Sequence, residues 1–249
     1  MVRFVDTHER EEELLGLVID SYIKESKPIS SSYLCEKYNL QYSPATVRNA
    51  LLSLEQQGLL SHIHTSSGRV PTKEGFKHYV GRLKAEDIAK DTMAGLQVYE
   101  EHSFNLNKVI DRTLEALTRF SGYTSLVAIS GQDEKLFYKG MRFILEQPEF
   151  EDIACLRDIF NTLEVHMDEL HDILFNCIGG LDEKIQILIG DDIGFNEISN
   201  CSLIVSGLRE EQLRVALAIL GPMRMDYLRA ASCLYSVRNQ LKGVVEELI

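Results

Sequence analysis

An α+β chain in two modules, helical at the N-terminus and carrying a small antiparallel sheet further on, is predicted by three observations. Apolar residues recur at helical spacing through the region before Gly58, strand-like runs gather after residue 123, and the charge of the two regions differs sharply. The chain has 249 residues, 45% hydrophobic and 26% charged, which allows one large or two small packed domains and argues against global disorder. Net charge is −12, at first sight a poor match for a nucleic-acid partner, whose phosphates are neutralised by Lys and Arg. The distribution reverses that. Residues 1–84 hold 11 basic against 10 acidic residues, whereas residues 85–249 hold 15 against 28. Within 30–84, seven basic residues (Lys37, Arg48, Arg69, Lys73, Lys77, Arg82, Lys84) face three acidic ones (Glu36, Glu55, Glu74).

From His8 to Glu25, Leu14, Leu15, Val18, Ile19, Tyr22 and Ile23 make one apolar stripe, so the spacing predicts an amphipathic helix that stops at Lys27-Pro28. Ser30 to Ser32 cap a short second helix carrying Tyr33, Leu34 and Tyr38, and Asn39-Leu40 form a turn. Ser43-Pro44 supplies an N-cap hydroxyl and a proline at the first helical position of a third helix, which runs to Gln57 and stops at Gly58. Leu59 to His64 alternates like a strand. It leads through Thr65-Ser66-Ser67-Gly68-Arg69 to Val70-Pro71, the pattern of a β-wing after a helix-turn-helix. Thr72 caps a fourth helix expected through Lys84, with Lys73, Lys77 and Arg82 adding positive charge.

On the third helix, at 100° per residue, Val47, Ala50, Leu51 and Leu54 share the face that would bury. The opposite face presents Ala45, Arg48, Asn49, Ser53 and Gln56. Arg suits guanine, Asn or Gln suits adenine, and Ala suits a thymine methyl. Leu52 also falls there and breaks a purely polar pattern. A polar helix face taken alone is equally a solvated surface; the wing that follows, with Arg69 and its hydroxyls placed for phosphates or the minor groove, is what favours DNA.

Glu86 to Leu117 is mostly helical in pattern and serves as a connector, dividing the chain into 1–84, 85–122 and 123–249. Strands are expected at Ser125–Ser130, Lys135–Tyr138, Lys184–Ile189, Ser202–Ser206 and Arg214–Leu220, the last two joined by the polar stretch Arg209 to Gln212. Helices near Phe150–Leu163 and Val165–Asn176 separate the early strands from the late ones, and an antiparallel sheet with helices on one face is the expected layering. In the last helix Tyr227, Leu234, Leu241 and Leu248 repeat every seven residues, with Ala230, Val237 and Val244 between them. Two surfaces could cover that seam, the chain's own sheet or the same helix of a second chain.

No GxSxG, GxxxxGK[ST], HExxH or GxGxxG occurs, so no enzyme chemistry or cofactor is expected. His166 and His171 stand among Glu164, Asp168, Glu169 and Asp172 and look like a solvated acidic stretch more than a metal site. Cys35, Cys155, Cys177, Cys201 and Cys233 are scattered singly, as suits reduced thiols. No apolar run approaches the roughly 20 residues that span a bilayer, and a cytoplasmic location follows as the expectation.

The segments KPISSSYLCEKYNLQYSPATVRNALLSLEQQGLL and HTSSGRVPTKEGFKHYV resemble the HrcA family of bacterial heat-inducible transcription repressors. So do ILEQPEF, LIGDDIGFNEISNCSLIVSG and AILGPMRMDYLRAAS, the last similar to the family's GP-x-RMDY signature with Met223 at its variable position. The similarity runs from about Arg10 to Leu248. It implies a winged helix-turn-helix followed by a GAF-like domain, and a homodimeric stress-response repressor bound to double-stranded DNA at an inverted-repeat operator called CIRCE. Dependence on the GroEL-type chaperonin is implied as well. Carried over, the DNA contacts fall at Ala45, Thr46, Arg48, Asn49, Thr65, Ser66, Ser67, Gly68 and Arg69, and the residues themselves add Ser43, Ser53 and Lys73 to the expected DNA-facing set. Between Ser130 and Gly140 the family's inserted dimerising domain is missing, so the C-terminal domain is a reduced GAF-like one. A protein-interaction adaptor of winged-helix fold stays open beside the repressor.

Overall fold

A computed structural model describes residues 7–63, 68–90, 97–99, 105–130, 134–178, 184–210 and 213–248. The chain separates into two compact units, Met1–Arg82 and Leu83–Ile249. In the first, α1 (Thr7–Glu25) buries Leu14, Leu15, Val18 and Ile19. α2 (Ser31–Tyr38) starts where the Ser30 hydroxyl accepts from the Tyr33 amide, 3.1 Å away, and ends at Asn39 in the left-handed conformation. α3 (Pro44–Gln56) begins at the expected Ser43-Pro44 pair and ends before Gly58, whose φ of +76° suits glycine. β1 (Leu60–Ser61) pairs antiparallel with β2 (Val70–Pro71) over two rungs, shorter than the alternation from Leu59 to His64 predicts.

Thr72 caps α4 (Lys73–Val80) by accepting from the Gly75 amide, and its hydroxyl donates to the Gly58 carbonyl at 2.7 Å, fixing the helix to the end of α3. This helix stops at Gly81, short of the expected Lys84, because glycine costs a helix about 1 kcal/mol relative to alanine. Leu34, Val47, Leu51, Leu54, Leu60 and Phe76 join the α1 stripe in one core. At its rim the Glu12 carboxylate pairs with His78, 2.8 Å away, and with Arg82, while the Tyr79 hydroxyl donates to Asp20 at 2.7 Å.

The second unit runs α5 (Ala85–Lys90), α6 (Leu106–Ser121), β3 (Thr124–Ser130), β4 (Lys135–Lys139), α7 (Arg142–Leu145), α8 (Ile153–Glu164), α9 (Met167–Ile178), β5 (Gln186–Ile189), β6 (Cys201–Glu210), β7 (Leu213–Pro222) and α10 (Tyr227–Leu248), with short 3-10 turns at 148–150, 190–193 and 196–198. Five strands form one antiparallel sheet in the order β4-β3-β7-β6-β5. Helices cover both of its faces, not one. Leu126, Ala128, Leu203, Val205, Ala216 and Ala218 pack with Ile159 and Leu163 of α8 and Leu170, Leu174 and Phe175 of α9. The alternate residues Val127, Ile204, Leu217 and Ile219 are equally buried, on the side where α6 and α10 pack. The physical reason lies in runs such as Val215 to Leu220, which are apolar at every position; an alternating strand has one wet face, a continuous apolar run needs two dry ones.

Three further expectations are corrected. Residues 97–99 are not helical: the Val98 amide donates to the Gln240 side chain at 3.0 Å, and the Tyr99 hydroxyl lies 2.6 Å from Thr113, so tertiary partners override the apolar spacing. β6 begins at Cys201 and reaches Glu210, past the expected Ser206, and β7 spans Leu213–Pro222, with Glu210 opposite Leu213. His171 is buried, its Nε2 donating to the Ile129 carbonyl at 3.2 Å and its ring 4.6 Å from that of Phe175, because its position on α9 faces the sheet. The seam of α10 is covered within its own unit, with Tyr227, Ala230, Leu234, Val237 and Leu241 buried.

Gly221 to Tyr227 is a joint. Arg224, 12% exposed, pairs with Glu149 and donates to Gln147 at 2.9 Å, while the Asp226 amide donates to the Tyr123 hydroxyl at 2.9 Å. Burial pushes the Cys201 and Cys233 thiols up to about 12, so both stay protonated. Among the described residues no helix is long and apolar enough to cross a membrane, and no cluster of His, Cys, Asp and Glu could hold a metal ion.

Burial works to raise the Glu12 carboxyl, but the His78 hydrogen bond and the charges of His78 and Arg82 outweigh it and hold the group below its usual 4.5. A depressed folded value means its stabilisation is complete above the unfolded carboxylate's range and lost as pH falls through the lowered value. Acid denaturation followed by circular dichroism should show the His78→Ala variant losing less stability than the parent on passing below that range; identical acid limbs would contradict the pairing.

Candidate nucleic-acid interface

The outward face of α3 follows from what the inward face buries. Val47, Leu51 and Leu54 are sealed in the core with Ala50, which turns Ala45, Arg48, Asn49 and Gln56 to solvent. No acidic side chain among the described residues lies within ion-pair distance of Arg48, whereas Lys37 pairs with Glu25 and Arg82 with Glu12. Leu52 is 46% exposed near the middle of this face, so no element of the described fold covers it.

Other expected site residues serve the local fold. Ser43 accepts from the Thr46 amide at 3.1 Å and its hydroxyl lies 2.9 Å from that of Thr46, so both are engaged in capping. Ser53, half-buried, accepts from Gln57 at 3.3 Å. Lys73 stands half-buried at the first position of α4. Thr65, Ser66 and Ser67 lie outside the described residues.

Gly68 and Arg69 form the base of the hairpin. Arg69 exchanges both backbone hydrogen bonds with Ile29 in the loop after α1, at 2.7 and 2.9 Å. The approach is so close that a Cβ on Gly68 would fall 2.5 Å from the Ile29 backbone, which is why a side chain is excluded there. The Arg69 guanidinium is turned inward, its Nε 2.8 Å from Glu55 Oε2, and the other oxygen of that carboxylate meets His62 Nδ1. Sequence reasoning missed Glu55 and Ile29. Glu55 sits seven residues before His62, a spacing that carries no signal until the chain turns back at Gly58; Ile29 reads as an ordinary loop residue.

Among the described residues, the arrangement offers a guanidinium without an acidic partner, two carboxamides and the apolar side chains of Ala45 and Leu52 on an exposed helix, beside a pinned hairpin. The family model described as the HrcA protein C terminal domain matches residues 43–230. The heat-inducible transcription repressor HrcA of Desulforudis audaxviator is 24% identical over 340 positions, covering 96% of this chain and 98% of the relative. That of Bacillus pumilus is 23% identical over 337 positions, covering 94% and 97%. Both spans exceed the 249 residues here, so the relatives carry positions with no counterpart in this chain. A crystal structure of a hypothetical protein shares the fold with a TM-score of 0.74 at 16% identity, over 95% of this chain and 98% of that one.

Gly68→Ala should push the hairpin base away from Ile29 at a cost of about 1–3 kcal/mol. In hydrogen exchange the Ile29 and Arg69 amides should then exchange on the order of tenfold faster while amides inside α1 keep their rates; unchanged protection of those two amides would refute the close approach.

Proposed function

The chain belongs to the HrcA family, and from that premise we propose that it is a DNA-binding transcriptional repressor of heat-shock (chaperone) genes. It binds a CIRCE-type inverted repeat in double-stranded DNA as a homodimer, because a two-fold operator is read by two copies of one reading head. Residues 1–84 act as a winged helix-turn-helix, with α2 and α3 as the motif and the hairpin as the wing. Residues 123–249 act as a reduced GAF-like regulatory and dimerising domain, reached through 85–122. The protein works in the cytoplasm, on the nucleoid when bound.

The observation that carries this reading is Arg48, exposed and without an acidic partner among the described residues, beside Asn49 on the face of α3 opposite its buried stripe. An arginine fork matches O6 and N7 of guanine, and an asparagine amide matches N6 and N7 of adenine, so this face suits the major groove. Ala45 and Leu52 add apolar contacts of the kind thymine methyls accept. Thr65, Ser66 and Ser67, between β1 and β2 in sequence, and Lys73 supply backbone contacts that orient the helix, while Ser43, Thr46 and Gly68 shape the reading head.

Operator affinity should fall steeply with salt, by about a thousandfold or more between roughly 50 and 200 mM if six or more phosphates are contacted. Arg48→Ala should cost about 1–3 kcal/mol on the operator and narrow its margin over scrambled DNA, as read by fluorescence anisotropy; a variant that discriminates as well as the parent would sink this assignment. A duplex in which uracil replaces thymine, thereby losing its 5-methyl groups, should bind the parent more weakly but make little difference to Leu52→Ala. An equal loss in both proteins would remove Leu52 from the readout.

A further inference from the structure

We propose that Glu55 and Arg69 form a clamp that sets the angle of the hairpin to α3, so that Arg69 acts through the hairpin's position and not as a phosphate contact. The proposal rests on the DNA-binding reading of the first unit.

The β1–β2 ladder has two rungs, Leu60 with Pro71 and Ser61 with Val70. So short a ladder is marginal by itself and leaves the hairpin free to swing about its base unless other contacts restrain it. Three restraints converge there. Glu55, in the last turn of α3, places one carboxylate oxygen 2.8 Å from the Arg69 Nε, just before β2. The other oxygen meets His62, just after β1, so a single side chain of the reading helix holds both arms of the hairpin. On the far side Arg69 is bound through its backbone to Ile29, an approach that only glycine at position 68 permits.

Energetics decide between clamp and contact. The side chains of Arg69 and Glu55 are 19% and 17% exposed. To reach a phosphate, the guanidinium would have to leave a largely buried carboxylate, and stripping one partner from such a pair is strongly unfavourable because the other charge stays desolvated. It would also leave Glu55 facing a phosphate of like sign. Arg48, with no acidic partner among the described residues, pays neither penalty. Arg69 is therefore a positioning residue, its charge spent on holding the hairpin.

The experiment is a double-mutant cycle of Glu55→Ala and Arg69→Ala on a labelled inverted-repeat duplex and on scrambled duplex, with a salt titration and hydroxyl-radical footprinting. A clamp predicts that both single variants and the double lose operator affinity by a similar factor, on the order of tenfold, since either change releases the same element. Flanking protection by the hairpin disappears while protection under α3 persists, and the salt slope of Arg69→Ala equals that of the parent. A direct phosphate contact predicts instead a slope lowered by about one and a loss that persists in full in the Glu55→Ala background; either result overturns the clamp. Thermal unfolding of each variant separates a loosened hairpin from a lost fold. Should Glu55→Ala not fold, Glu55→Gln, close to isosteric, carries the same cycle. If the parent itself ignores the operator, the repressor reading falls with the clamp, whereas operator binding with an additive cycle removes the clamp alone.

Discussion

The burial of one side of α3 is the constraint from which the first unit follows. Val47, Ala50, Leu51 and Leu54 recur at helical spacing and seal against α1 and α2, fixing the rotation of the helix about its axis. Once that rotation is set, Arg48 and Asn49 have nowhere to point but outward. Even Leu52 must be exposed, since its position is nearly opposite the buried arc. The capping pair Ser43-Pro44 and the left-handed Gly58 then set the two ends of the helix, and the turn at Gly58 returns the chain beside the last turn, where Glu55 can reach it.

In the second unit the governing fact is a sheet that is apolar on both sides. Such a sheet needs two helical layers, and it has α6 with α10 on one face and α8 with α9 on the other. The strings that carry the family resemblance do their work here as joints. Arg224 of the GPMRMDY segment is tied to Glu149 and Gln147 of ILEQPEF, and Tyr227 shares a hydrogen bond of 2.8 Å with Ser202 at the start of β6. Arg238, almost fully buried, donates to the Gly207 carbonyl at 3.0 Å and adds a second polar link between α10 and the sheet. Buried polar links of this kind demand partners, so they specify one arrangement of helix on sheet.

Much of this was legible in the residues. The helix starts at Ser30, Ser43 and Thr72, the inward stripe of α3, and the existence of all five strands of the large sheet rest on local chemistry: caps, prolines and apolar spacing act within a few residues of chain. The errors share a cause. Helices on one face, a helical connector through Val98 and Tyr99, and a solvated His171 each depended on what comes to lie against a segment from far along the chain. The neighbour of Arg69 was hidden from the sequence in the same way, since Glu55 comes beside it only after the chain turns back at Gly58.

By itself the sequence determined where the capped helices begin, that five strands form in the second unit, and which side of α3 is apolar, because those properties follow from side-chain size, branching and polarity over a few consecutive residues. Tertiary structure alone decided which charges are free and which are spent. Arg48 and Arg69 are chemically identical residues 21 positions apart; among the described residues one is left without a carboxylate and the other is given one. The difference arises when distant segments are brought to within a few ångströms, the range over which a desolvated ion pair outweighs hydration.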